Sequence, residues 1–178
     1  MKNGYIIVLI IALFCLVLLI MLCRYDKKRV TEEENHFWLV HMQEPDKLSR
    51  VINDFYSVDG EYAIIVSCGQ ASFDADMTNT ESFENMDSFL EAIGKQISDL
   101  FGGESIVVTK KVADSTAIIY FERMVNVSRI PLTKSWVSVT MVYYSDKTAP
   151  DIQELIRLHG EHMKWQDQHY AVFSHGLV

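Results

Sequence analysis

The run YIIVLIIALFCLVLLIML, from Tyr5 to Leu22, holds eighteen residues without a charge, an amide or a proline. A surface helix or a half-buried strand needs a polar face, and this segment has none. As a helix it is about 27 Å long, close to the roughly 30 Å hydrocarbon core of a bilayer. The sequence therefore predicts a transmembrane helix over residues 5–23, behind a tail of four residues. No small-x-small cleavage pattern precedes Arg24, so a signal peptide is excluded. Cys15 and Cys23 both follow large residues, which excludes a lipidated cysteine. Lys2 alone precedes the run, whereas Arg24, Lys27, Lys28 and Arg29 follow it, offset by Asp26. The positive-inside rule then makes this a single-pass membrane protein whose remaining residues lie in the cytoplasm.

Beyond the run, the hydrophobic content falls to an ordinary globular proportion. Residues 24–35, RYDKKRVTEEEN, pass from basic to acidic with no apolar pattern and read as a charged juxtamembrane linker. Residues 36–178 suffice for one domain with its own core. HFWLVHM, His36 to Met42, reads as a short apolar strand. Pro45 opens a helix whose Leu48, Val51, Ile52 and Phe55 recur at i, i+3, i+4 and i+7. Asp59-Gly60 is a turn signal before the strand EYAIIVSC, Glu61 to Cys68. A polar loop, residues 69–84, leads to a second helix striped with Met86, Phe89, Leu90, Ile93, Ile97, Leu100 and Phe101, ended by Gly102-Gly103.

Three strands follow, Ser105 to Val112, Thr116 to Val127 and Ser135 to Tyr144. Thr148 to Asp151, with Pro150 inside, opens a third helix along Ile152, Leu155, Ile156 and Met163. Tyr170 to Phe173 reads as a last strand. The order β-α-β-α-β-β-β-α-β implies an α+β domain with a mixed or antiparallel sheet and its helices packed on one side.

The net charge of −8 conceals an asymmetry. Residues 1–29 hold five Lys or Arg and one acid, leaving 11 basic and 23 acidic residues, a formal −12, for residues 30–178. No basic residue lies between Arg50 and Lys95, a stretch that includes Asp74, Asp76, Glu81, Glu84 and Asp87. Such a surface repels nucleic acid and speeds association with a basic protein. These carboxylates, with Trp136 and Tyr144 as exposed aromatic anchors opposite the core, are the expected binding residues.

Asp74, Asp76 and Thr78 occupy alternate positions, as the first ligands of an EF-hand loop do. The pattern then fails, because Asn79 stands where glycine is required and Asn85 where the bidentate glutamate is required. Cys68, at the end of a strand and before Gly69, is the candidate nucleophile, and a C-terminal histidine is its candidate base. His159 and His162 stand at i, i+3, a spacing able to share a metal, although HGEH lacks the zincin spacing. With no phosphate loop, dinucleotide fingerprint or hydrolase elbow, no cofactor is expected. The leading expectation is a membrane-anchored, protein-binding module with a basic partner, such as an immunity protein, an inhibitor or an accessory subunit of a membrane complex. The alternatives are a membrane-anchored enzyme using Cys68 or a metal sensor using the histidines.

Overall fold

A computed structural model describes residues 2–22, 27–78, 83, 86–113, 116–128 and 135–176, with side chains at all of these but 2–5, 9, 19–22, 113 and 116. Five helices are present among them: α1 (Lys2–Leu22), α2 (Lys27–Gln43), α3 (Pro45–Ser57), α4 (Asp87–Phe101) and α5 (Pro150–His159). Seven strands accompany them: β1 (Tyr62–Ser67), β2 (Gln70–Phe73), β3 (Ile106–Ala113), β4 (Thr116–Asn126), β5 (Trp136–Tyr144), β6 (Met163–Gln166) and β7 (Tyr170–Gly176). They form one sheet in the order β2-β1-β3-β4-β5-β7-β6, with every neighbouring pair antiparallel.

The first correction concerns the apolar run. It is carried by α1, where side chains are described at residues 6–8 and 10–18. Among the described residues, no helix is long and apolar enough to cross a membrane. The transmembrane helix, the single-pass localisation and the cytoplasmic placement deduced from it are overturned by that finding.

The second correction is His36–Met42, which is helix and not strand. It forms the last turns of α2, which begins inside the stretch read as a linker and buries Val30, Glu34, Phe37 and Val40. The third correction concerns the layers. Leu48, Val51, Ile52 and Phe55 of α3 and Ile93, Ile97, Leu100 and Phe101 of α4 join the buried residues of α2 on one sheet face. That face presents Tyr62, Ile64, Val66, Ile106, Val108, Ile119, Phe121, Val139 and Met141. Helix α5 packs on the other face, where Ile152 meets Ile118, Val142, Tyr144, Ala171 and Phe173. The period of two along β4 and β5 sends alternate residues to the two cores, so helices lie on both sides of the sheet and not on one.

Local chemistry explains the element ends. Pro45 occupies the first turn of α3, where its missing N–H costs no hydrogen bond. Gly102 ends α4 with φ +83°, and its N–H donates to the Ser98 carbonyl at 2.9 Å. Two buried cations on the sheet face covered by α2, α3 and α4 meet carbonyls at helix C-termini. Lys110 Nζ donates to the Phe55 carbonyl at 3.0 Å and to the Val58 carbonyl, at the end of α3. Arg123 Nη2 donates to the Phe101 carbonyl at 2.6 Å, at the end of α4.

Candidate functional site

The β1–β2 hairpin carries the acidic stretch. Ser67 pairs with Gln70 across a two-residue turn, and Cys68 and Gly69 occupy that turn with φ +51° and φ +79°. Two consecutive left-handed residues are what a tight hairpin with the native strand twist requires. The turn is held from outside as well, since Cys68 N–H donates to the Gly103 carbonyl at 3.0 Å and Gly69 N–H to Ser98 Oγ at 2.8 Å.

Cys68 is exposed at this turn, with its Sγ 3.5 Å from the Gly103 carbonyl oxygen. The C-terminal histidines lie with α5 and β7. Four strand spacings separate β1 from β7 in the sheet order, roughly 19 Å at about 4.8 Å each. The nucleophile and base considered from the sequence are therefore not brought together.

The acidic residues gather along the β2 edge of the sheet. Asp74 follows β2, donates its N–H to the Ala63 carbonyl at 2.8 Å and accepts the Asp76 N–H on Oδ1 at 3.1 Å. The loop then closes on the sheet: the buried Thr78 hydroxyl accepts the Ala63 N–H at 2.8 Å and donates to the Ala63 carbonyl at 3.0 Å. Thr78 thus completes a strand pairing and is not turned toward a cation. Asp87 and Glu91, one helical turn apart on α4, line an open groove of about 340 Å³ with Gly69, Gln70, Ala71 and Leu90. Glu81 and Glu84 lie outside the described residues.

The two expected aromatic anchors separate. Trp136 is partly exposed at the start of β5. Tyr144 is fully buried beneath α5, its hydroxyl donating to the Asp167 carbonyl at 2.9 Å. It is a core residue because α5 covers the face that the sequence left open.

The histidine pair is also redistributed. His159, at the end of α5, stacks on Phe173 with centroids 4.6 Å apart and stands 5.8 Å from the His175 ring. His162 is exposed in the 3-10 turn Gly160–His162. Among the described residues, no group of three His, Cys, Asp or Glu side chains is arranged to hold a metal ion. Burial lowers the His159 pKa, and His175 and His162 lower it further. The folded chain thus takes up this proton less readily than the unfolded chain. Its contribution to stability is present above the ordinary histidine pKa of about 6.5 and is lost as the pH falls below it. His159→Phe keeps the stack on Phe173 and removes the titration. Urea melts of the variant are expected to lose less stability than the parent chain between about pH 7 and about pH 5; parallel losses would refute this role.

One constellation escaped the sequence reading. His41 Nε2 lies 2.7 Å from Asp167 Oδ2, with the imidazole packed on Tyr170 at 4.1 Å and Trp38 at 4.9 Å between centroids. Trp38 in turn stacks on the partly exposed Trp165 at 5.5 Å and 15°. A carboxylate orienting a histidine is the geometry of a general base only when the second ring nitrogen faces substrate. Here Nδ1 is buried and has no hydrogen-bond partner among the described residues. The dyad instead fastens α2 to the β6–β7 hairpin, where Asp167 Oδ1 accepts the His169 and Tyr170 N–H groups. Reading His36–Met42 as a strand concealed it, because only the helix turns Trp38 and His41 toward β6 and β7.

The described residues thus offer an acidic, grooved sheet edge and no assembled catalytic set. No protein-family model, curated protein or solved structure matches the chain.

Proposed function

We propose that the chain is a protein-binding module that takes a basic partner along the β2 edge of its sheet. One observation carries this reading. Strand β2 ends the sheet, and the carboxylates of Asp74, Asp76, Asp87 and Glu91 flank it together with an open groove, in a stretch without a basic residue. A terminal strand offers unpaired backbone groups to an incoming extended segment, and main-chain hydrogen bonds supply sequence-independent affinity. The flanking carboxylates then select lysine- and arginine-rich segments, mainly by accelerating encounter.

Fluorescence anisotropy of a labelled, extended Lys/Arg-rich peptide with the full chain tests the proposal. Binding is expected to weaken at least about tenfold between roughly 50 and 500 mM salt and in the Asp87→Lys, Glu91→Lys double variant. An acidic peptide of equal length is expected not to bind. Binding indifferent to both salt and the substitutions would overturn the proposal.

A further inference from the structure

We infer that α5 is an acid-released cover on the sheet: its C-terminal end lifts from β7 when the histidines gathered there take up protons, uncovering the apolar face around Phe173.

Helix α5 is attached differently from the other helices packed on the sheet. A buried cation ties each of those down: Arg123 holds α2 through Glu33 and α4 through the Phe101 carbonyl, and Lys110 holds α3 through the Phe55 carbonyl. The hydrogen bonds of α5 stay local. Gln153 N–H donates to the Ala149 carbonyl at 3.0 Å, Gln153 Nε2 to the Lys147 carbonyl at 2.7 Å, and Arg157 Nε to Glu154 at 2.6 Å. Among the described residues, no side-chain hydrogen bond or ion pair joins α5 to a strand. Its hold is apolar, through Ile152 and the half-buried Leu155 and Ile156, over a cluster separate from the main core. A helix held in this way can open while the rest of the chain stays folded.

Three imidazoles meet where that helix ends. His159 stacks on Phe173 with its ring centroid 5.8 Å from that of His175 on β7, and His162 follows in the turn Gly160–His162. Both nitrogens of a charged imidazole donate, and His175 Nδ1 is buried with no hydrogen-bond partner among the described residues. The neighbouring charges do not compensate. Arg157 is engaged by Glu154, Glu122 accepts the hydroxyl of Ser138, the strand partner of His175, and Glu161 and Lys164 are exposed. Burial, His175 and His162 all oppose a charge on His159. Below the ordinary histidine pKa of about 6.5, lifting the end of α5 hydrates the rings and separates their like charges. The helix itself survives release, because cations are favoured at a helix C-terminus.

Hydrogen exchange of the full chain at about pH 7.5 and about pH 5.5, with the intrinsic pH dependence divided out, tests this role. Opening at the amides of residues 154–159 is expected to rise at least about fivefold at the lower pH, with α3 and α4 unchanged. The double variant His159→Phe, His175→Phe keeps the ring stack without its charges and is expected to lose the rise. If that variant does not fold, the contrast between α5 and the other two helices in the parent chain decides alone. Equal protection of α5 at both pH values, an equal rise in α3 and α4, or a rise retained in the variant would overturn the role.

Discussion

Arg123→Ala is expected to cost about 3–5 kcal/mol of folding stability, the range for removing one partner of a buried ion pair. Arg123 is 5% exposed on β4, yet its guanidinium joins three elements. Nη1 donates to Glu33 Oε1 of α2 at 2.5 Å, Nη2 donates to the Phe101 carbonyl of α4 at 2.6 Å, and the group sits 5.7 Å above the Phe37 ring. Truncation strands the Glu33 carboxylate, which is only 16% exposed, and leaves the Phe101 carbonyl unpaired. Glu33→Gln keeps an acceptor for Nη1 and is expected to cost less, about 1–2 kcal/mol. Replacing both partners, Arg123→Met with Glu33→Met, removes the stranded charge and is expected to recover part of the loss of the single Arg variant. Urea unfolding monitored by circular dichroism gives the ranking, with an unchanged slope showing that the loss is one of stability. A loss below about 1 kcal/mol for Arg123→Ala would show that solvent reaches Glu33 freely.

The same residue shows what the sequence could and could not convey. The helix stripes of α3 and α4, the spans of β3, β4 and β5, and the start of α5 were legible because apolar spacing and breakers state them locally. Each predicted boundary of β3, β4 and β5 lies within a residue of the observed one. Arg123 and Lys110 read as ordinary polar positions of strands, since their role depends on helix ends that lie far away in the chain.

Helix α2 was misread for a related reason. Its buried stripe passes through Glu34, and a charged residue at a core position breaks the pattern that would have joined Val30 to Phe37. The remaining HFWLVHM then has no visible period of 3.6. The two edge strands were missed because β2 and β6 have four residues each, too short to display alternation. For β2 the turn signal was also hidden, because cysteine is an unusual occupant of a left-handed position. The candidate site was legible only in composition: the acidic stretch stood out, whereas its placement beside a terminal strand required the sheet order. The His41–Asp167 pair spans 126 residues and leaves no local trace.

Gly94→Ala should destabilise the chain even though helix propensity argues the other way. Alanine in the middle of α4 gains about 1 kcal/mol over glycine from propensity alone. The opposing term is steric, and its partners are backbone atoms. A Cβ at residue 94 would stand 2.8 Å from the Gly69 carbonyl oxygen, 2.9 Å from the Ala71 nitrogen and 3.1 Å from the Ala71 Cβ. These atoms belong to the β1–β2 turn and the start of β2, which the Gly69–Ser98 and Cys68–Gly103 hydrogen bonds tie to the region of α4. The hairpin cannot withdraw without breaking those bonds or parting Ala71 from the core. Overpacking of this kind typically costs about 1–3 kcal/mol, and contact with fixed backbone places it at the upper end, so a net loss of roughly 1–2 kcal/mol remains after the propensity gain. Gly94→Val adds two methyl groups and a β-branched penalty, and is expected to lose more. Thermal unfolding orders the three chains, and peptide binding links the result to the proposed interface: displacement of β2 should weaken binding at its edge in proportion to the lost stability. A Gly94→Ala variant more stable than the parent chain would mean that α4 and the hairpin are not in the contact described.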